Sequence, residues 1–163
     1  MLQGFPPVVG PLPRLLLLGT MPSVKSLQEQ RYYAHPRNAF WPVLYALYGQ
    51  TPPPDFDARY AFARERHIAL WDVAQQCERQ GSSDAAIREV VPNDIVGLLT
   101  RQPSIQAVGL NGGEALRLFD RLIRPGLPRP LPVLALPSTS PAYTLTWAQK
   151  AERWRQILDH YLP

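Results

Sequence analysis

The sequence predicts a layered α/β domain built on a central, mostly parallel sheet of four strands. Four short apolar runs, at about residues 14–19, 67–73, 104–110 and 132–136, have the length and the flanking Gly or Pro residues of buried strands. Amphipathic stretches with helical spacing lie between these runs, and strands that alternate with helices are typical of a parallel sheet covered on its faces. The chain has 163 residues, 45% of them hydrophobic, which is enough for one substantial core. We therefore expect a single domain over residues 1–163.

The first half of the chain is predicted to contain helices on both sides of a proline-rich loop. The predicted elements are an irregular, proline-rich arm at 1–13, helices at 23–30, 38–48 and 56–66, and the loop at 51–55. Ser23 follows Pro22 and is a candidate cap for the first helix. Gly49 is a typical stop signal for the second helix.

The second half is predicted to follow the same alternation after a polar, turn-rich tract. The predicted elements are that tract at 77–87 and helices at 85–90, 94–101, 113–123 and 147–161. Asp84 is a candidate cap for the first of these helices, and either Asn93 or Asp94 can cap the second.

Two of these helices have clear start signals. Asn111-Gly112-Gly113 makes a tight turn from the third strand into a helix. Thr146 is followed three residues later by Gln149, which fits the capping-box pattern of the final helix. The apolar stripe of that helix, which includes Trp147 and Trp154, is expected to face the core.

Charge points weakly toward a polyanion partner. The formal net charge is +4 and the pI is near 9.5, and Lys and Arg contacts to phosphate supply the sequence-independent part of DNA binding. Nearly all of the positive charge is arginine, because Lys25 and Lys150 are the only lysines. Modest basicity is also common among proteins with no nucleic-acid role.

Cysteine content and hydropathy exclude several classes of protein. Cys77 is the only cysteine, so the chain has no internal disulfide and no site built from several cysteines, such as an iron–sulfur cluster. No apolar run approaches the length of a membrane span. The start, MLQGFPPVVGPLPR, lacks the pattern of a secretion signal. We therefore expect a cytoplasmic protein without a membrane partner.

The stretch from residue 15 to residue 41 gathers polar and aromatic groups at the end of the first strand. Ligands of open α/β sheets bind at the carboxyl ends of the strands, which makes Tyr33, His35 and Asn38 candidates for a site. Each also has a structural interpretation. In that interpretation, Asn38 merely caps a helix, Tyr33 is a packing residue and His35 is a surface residue.

Two segments carry a resemblance to a known family. Gly19-Thr20-Met21-Pro22-Ser23 with Tyr32-Tyr33-Ala34-His35-Pro36-Arg37-Asn38-Ala39-Phe40-Trp41 resembles the first active-site motif of the uracil-DNA glycosylase superfamily. Leu136-Pro137-Ser138-Thr139-Ser140-Pro141-Ala142 is similar to a second motif, and Trp71-Asp72 also resembles the family. The first motif is most similar to the hypoxanthine-DNA (deoxyinosine) glycosylase branch. The resemblance implies a three-layer sandwich around the parallel sheet.

The resemblance also implies roles for residues. It makes Asn38 the residue on which catalysis chiefly depends, with a water or the base as its partner. The residues expected at the base are Tyr33, which would stack on it, and His35, Gly19, Thr20, Met21, Phe40, Ser83 and Asp84. The residues expected at the DNA backbone are Pro22, Ser23, Ser138, Thr139, Ser140 and Pro141. Neither a metal nor a cofactor is implied.

Departures from the wider superfamily shape the expected substrate. Thr20 and Met21 stand where other branches carry an Asp or Asn that positions water, and Pro137-Ser138 lacks the histidine that precedes this segment in classical uracil enzymes. Hypoxanthine is therefore the leading substrate, uracil is second and xanthine is possible. The expected partner is double- or single-stranded DNA containing a deaminated base, bound by a monomer that works at a bacterial nucleoid.

Two other functions remain open at this point. One is a non-catalytic nucleic-acid-binding protein of the same fold. The other is a nucleoside or ester hydrolase, although the chain has no Gly-x-Ser-x-Gly nucleophile elbow.

Overall fold

The computed structural model describes residues 1–163, apart from the side chain of Ala85. The strands are β1 (Leu2–Gln3), β2 (Leu15–Gly19), β3 (Ile68–Asp72), β4 (Ala74–Glu78), β5 (Arg88–Pro92), β6 (Ala107–Asn111) and β7 (Val133–Leu136). The helices are α1 (Val24–Glu29), α2 (Phe40–Ala46), α3 (Phe56–Glu65), α4 (Ile95–Arg101), α5 (Gly113–Leu122) and α6 (Trp147–Leu158). Short 3₁₀ turns occur at Asp84–Ala86 and Arg124–Gly126.

The central sheet has the strand order β3-β2-β6-β7, and its pairings are parallel. This confirms the predicted α/β class and the four predicted strands. In the register of the sheet, Gly19 lies opposite Asp72, and Asn111 lies opposite Leu136. The carboxyl ends of all four strands therefore meet at one edge, as parallel pairing requires.

Helices cover both faces of this sheet. Leu15 and Leu17 of β2 pack into one core with residues of α2, α3 and α6. Leu16 and Leu18 point the other way and pack with residues of α4 and α5. Because successive side chains of a strand alternate between faces, the fully apolar run of β2 serves both cores. None of the described helices is long and apolar enough to cross a bilayer.

A second, antiparallel sheet of order β1-β4-β5 corrects the prediction for the middle of the chain. The expected helix at 85–90 is wrong, because β5 occupies the second half of that range and Asp84 begins only a 3₁₀ turn. Ile87 is buried with Met21, Ala74 and Cys77. This small cluster holds the segment extended, since a helix there would withdraw Ile87 from it.

The N-terminal arm is less irregular than predicted. β1 pairs with β4, and Val8 forms an isolated antiparallel bridge with Leu70. Phe5 and Val8 are both buried. The prolines of the arm limit its pairing to these short contacts.

The predicted helix caps and helix faces agree only in part with the structure. Ser23 caps α1 and Thr146 forms the expected capping box with Gln149. Asp94, not Asn93, caps α4. Trp147, the first residue of α6, does not face the core and is 55% exposed.

Candidate active site

A cavity of about 650 Å³ opens at the carboxyl edge of the central sheet. Its walls come from the loops after β2, β6 and β7, the loop before α2, the last residue of β3 and the segment that begins the 3₁₀ turn at Asp84–Ala86. The predicted site residues that line it are Gly19, Thr20, Met21, Pro22, Ser23, Tyr33, His35, Asn38, Ser83, Asp84, Ser138, Thr139, Ser140 and Pro141. Phe40 is the predicted site residue that does not, since it is fully buried. The volume lies within the usual range for small-molecule sites.

Tyr33 and Phe40 form a stacked pair at the wall of the cavity. Their ring centroids lie 3.9 Å apart and their planes differ by 12°. Phe40 therefore supports the Tyr33 ring from the core side and is not placed to touch a base. Tyr33 also has a φ of +54°, a left-handed conformation that is unfavourable for a bulky side chain. The packing on Phe40 helps to hold this backbone, which directs Tyr33 to the cavity.

Asn38 lies in the turn that leads into α2 and at the wall of the cavity. Its Oδ1 accepts a hydrogen bond from the backbone N–H of Phe40 at 2.9 Å, which closes a tight Asx turn just before α2. The helix cap itself is Ala39, so the interpretation of Asn38 as the N-cap is wrong by one residue. The bond also fixes the orientation of the amide, because a backbone N–H requires an acceptor. The Nδ2 group finds no acceptor among the described residues, and Asn38 lines the cavity. The amide therefore offers the cavity a hydrogen-bond donor.

His35 has one ring nitrogen committed to its own loop. The backbone N–H of Arg37 donates to His35 Nδ1 at 3.1 Å. An accepting Nδ1 requires the proton of the neutral ring to sit on Nε2. His35 can thus organise the loop and still donate a hydrogen bond from Nε2.

Asp72, at the end of β3, is a functional candidate that the sequence analysis quoted within the family resemblance but did not assign to the site. It lines the cavity and is only 3% exposed. Burial raises its pKa to about 7, the neighbouring Asp84 carboxyl adds to that rise, and Arg79 opposes it. Burial and Asp72 in turn raise the pKa of the Tyr33 hydroxyl. The signal in the sequence was a single carboxylate closing an apolar run.

The rim of the cavity is held by hydrogen bonds between distant segments. Thr20 Oγ1 donates to Asp84 Oδ2 at 3.1 Å, which joins the end of β2 to the 3₁₀ turn. Burial raises the pKa of Asp84, and the bond from Thr20 opposes this. Ser82 Oγ accepts from the backbone N–H of Val24 at 2.9 Å. Two segments that are far apart in sequence thus form one wall.

The opposite wall is the loop that contains Ser138, Thr139 and Ser140. Lys150 of α6 is only 2% exposed and donates through Nζ to the carbonyl oxygen of Ser140 at 2.9 Å. Burial lowers the pKa of Lys150. A buried cation therefore lies directly behind this loop. Sequence reasoning did not find Lys150, because helical spacing gives no sign of what a side chain reaches.

The fold is that of a known family. The family model of the uracil DNA glycosylase superfamily matches residues 6–160, and the chain belongs to that superfamily. It is a DNA glycosylase, as its relatives are named. The predicted family is therefore confirmed.

Individual relatives carry names that specify a base. A protein of Methanosarcina acetivorans named hypoxanthine DNA glycosylase is 30% identical over 159 residues, which cover 97% of this chain and 98% of that protein. A Methanosarcina barkeri protein of the same name is 32% identical over 114 residues, which cover 69% of this chain and 72% of that protein. A solution NMR structure from Methanosarcina acetivorans, described as a candidate uracil DNA glycosylase, matches with a TM-score of 0.81 and 28% identity, covering 98% of this chain and 97% of that one.

Proposed function

We propose that this protein excises hypoxanthine from DNA by hydrolysing the N-glycosidic bond of deoxyinosine, with Asn38 at the centre of the reaction. The observation that carries the proposal is the free Nδ2 donor of Asn38 at a cavity of about 650 Å³ that Tyr33 also lines. The names of the two Methanosarcina relatives support the same substrate.

The cavity has the features that removal of a flipped base needs. A glycosylase takes its target base out of the duplex and holds it in a pocket. An aromatic side chain such as Tyr33 can stack on that base, a contact worth about 1–3 kcal/mol. Phe40 makes this platform rigid, because it packs on the Tyr33 ring at 3.9 Å.

Donors at the cavity suit the charge that develops during the reaction. As the bond from the base to C1′ of the sugar lengthens, negative charge gathers on the base and positive charge on the sugar. Donors that are already oriented stabilise the departing base without reorganisation. The Nδ2 of Asn38 and the Nε2 of His35 are two such donors, and a water molecule attacks C1′.

The loop from Ser138 to Pro141 is suited to the phosphates that flank the lesion. Hydroxyl groups such as those of Ser138 and Ser140 donate to phosphate oxygens, which act only as acceptors. The net charge of +4 favours the approach to DNA. The protein acts as a monomer on double- or single-stranded DNA and cleaves no phosphodiester bond.

The test is a panel of duplexes and single strands carrying hypoxanthine, uracil, xanthine or a thymine mismatch. Abasic sites are revealed by alkaline strand cleavage. We expect release of hypoxanthine to be fastest, and strand breaks to require alkali. Absence of base release from every substrate would leave the binding-only alternative, and hydrolysis of free deoxyinosine without action on DNA would favour a nucleoside hydrolase.

A further inference from the structure

Asp72 lines the cavity, and its carboxyl group lacks a complete set of partners. Its Oδ2 is buried and has no hydrogen-bond partner among the described residues. Buried polar atoms are nearly always bonded, so an unpaired oxygen at a ligand cavity suggests a partner that arrives with the ligand. A purely structural carboxylate would be expected to satisfy both oxygens.

The backbone at Gly19 makes room for this carboxyl. A Cβ atom on Gly19 would lie 2.5 Å from Asp72 Oδ1 and 2.8 Å from the Tyr33 hydroxyl. Only a residue without a side chain lets the two groups approach the end of β2 together. Asp72 is thus held beside the aromatic residue on which the base is proposed to stack.

The charged and titratable groups around Asp72 come from three segments. Asp84 on the 3₁₀ turn adds negative charge, Arg79 after β4 adds positive charge, and Tyr32 and Tyr33 lie on the loop before α2. No ion pair joins Arg79 to Asp72 among the described residues, and Arg79 instead donates to the carbonyl oxygen of Pro22. Burial therefore outweighs the cation, and the pKa of Asp72 rises to about 7.

We infer that Asp72 is a second catalytic residue, which donates a proton to the departing base. This inference rests on the proposed excision of hypoxanthine. As the bond between C1′ and N9 breaks, its electron pair passes to the base, and the Asp72 O–H proton moves to a ring nitrogen of the purine, N7 or N3. Water adds its oxygen to C1′, and the proton that it loses returns through solvent to the Asp72 carboxylate.

Proton donation by Asp72 and the obvious alternative role predict opposite dependences of the rate on pH. An ionised Asp72 could accept a hydrogen bond from N1–H of hypoxanthine, and activity would then increase as the carboxyl loses its proton. A proton donor requires the opposite, because the active form is the neutral acid. The dependence of the rate on pH therefore separates the two roles.

The first experiment measures single-turnover excision from a deoxyinosine duplex between pH 5.5 and 9. For the wild-type protein we expect a rate that is constant at the acid end and falls about tenfold per pH unit above about pH 8. Asp72→Asn should be slower by about 10²–10⁴-fold at pH 6 and should lose this dependence. Asp159→Asn, on the exposed end of α6, is the matched control and should follow the wild-type profile.

A second experiment uses only the wild-type protein, so it does not depend on the folding of a variant. Duplexes carrying 7-deazahypoxanthine or 3-deazahypoxanthine each lack one proton acceptor, and we expect one of them to be cleaved at least about 100-fold more slowly than hypoxanthine. Equal rates on all three bases would overturn the inference, as would an Asp72→Asn rate within threefold of wild type. Absence of wild-type excision at pH 6 would instead overturn the proposed function.

Discussion

Asn111 and Thr139 exchange two hydrogen bonds across the carboxyl edge of the central sheet. Asn111 Nδ2 donates to Thr139 Oγ1 at 2.9 Å, and the Thr139 backbone N–H donates to Asn111 Oδ1 at 3.0 Å. The Thr139 carbonyl oxygen in turn accepts from the backbone N–H of Ala39 at 2.9 Å. One buried pair therefore ties the end of β6 to the loop after β7 and to the start of α2, next to Asn38.

Thr139→Val should loosen this connection. The change keeps the shape of the side chain but leaves one donor of Asn111 unsatisfied, which costs about 1–3 kcal/mol of unfolding free energy. We expect excision to slow as well, since Asn38 loses support. Thr139→Ser restores the hydroxyl and should recover most of both losses, as measured by urea unfolding and single-turnover kinetics. Equal stability of the Val and Ser variants would contradict this account.

Substitutions of Asn38 can separate its bond to the Phe40 backbone from its free donor. Asn38→Asp keeps an oxygen for the Phe40 N–H and removes the Nδ2 donor, whereas Asn38→Ala removes both. We expect Asn38→Ala to lose about 1 kcal/mol of stability with this hydrogen bond, while Asn38→Asp stays near wild type. Base release should fall at least about 100-fold in both, with binding to deoxyinosine DNA largely retained. Near-native excision by Asn38→Asp would show that the donor is not needed.

Tyr33 should contribute mainly through its ring. Tyr33→Phe keeps the stack on Phe40 but removes the hydroxyl, which lies near Gly19 beside Asp72. We expect it to bind lesion DNA nearly as well as wild type. Tyr33→Ala should weaken binding by about 1–3 kcal/mol, as measured by fluorescence anisotropy. A Phe variant as weak as the Ala variant would assign the contribution to the hydroxyl.

Gly19→Ala should disturb the cavity from within the sheet. The added Cβ would meet Asp72 Oδ1 at 2.5 Å and the Tyr33 hydroxyl at 2.8 Å, and such overpacking costs about 1–3 kcal/mol. We expect a lower melting temperature and a severe loss of excision. Gly126→Ala is the control, because its nearest contact would be an ordinary 3.4 Å from Val96. A fully active Gly19→Ala variant would mean that Asp72 and Tyr33 can separate without consequence.

The central sheet was predictable because its signals are local. Each strand is an apolar run, and each is followed by a turn and a helix pattern. β4 and β5 gave no such signal, since their buried residues are few: Ala74 and Cys77 are the buried positions of β4, and none of β5 is fully buried. These strands exist because β1 and the neighbouring cluster pack on them, which no window of sequence displays.

In the candidate site, too, only local signals could be used for prediction. Asn38, Tyr33 and the Ser138–Ser140 loop lie within continuous motifs, and the sequence therefore predicted them as site residues. Asp72 and Asn111 are single polar residues at the ends of two strands, and their meeting depends on the strand order. The exclusion of Phe40 from the cavity depends on the stack beneath Tyr33, a packing detail that no spacing rule contains.

The unusual protonation of Asp72 should also appear in the stability of the protein. Its pKa is raised from 3.8 in the unfolded chain to about 7 in the folded protein, so the folded state binds more protons between these values. The free energy of unfolding must then fall as pH rises from about 4 to 7 and level off above, with a maximal loss of about 4 kcal/mol.

Asp72→Asn removes this penalty, because an amide does not ionise. The stability of the variant relative to wild type should therefore increase by about 1 kcal/mol per pH unit between pH 5 and 7. Urea unfolding at several pH values measures the difference, with Asp159→Asn as the control that should show no such slope. The protein would thus keep a carboxyl that lowers its stability at neutral pH, which is expected of a group that serves the reaction. A difference independent of pH would mean that Asp72 ionises normally and would remove the basis for proton donation at neutral pH.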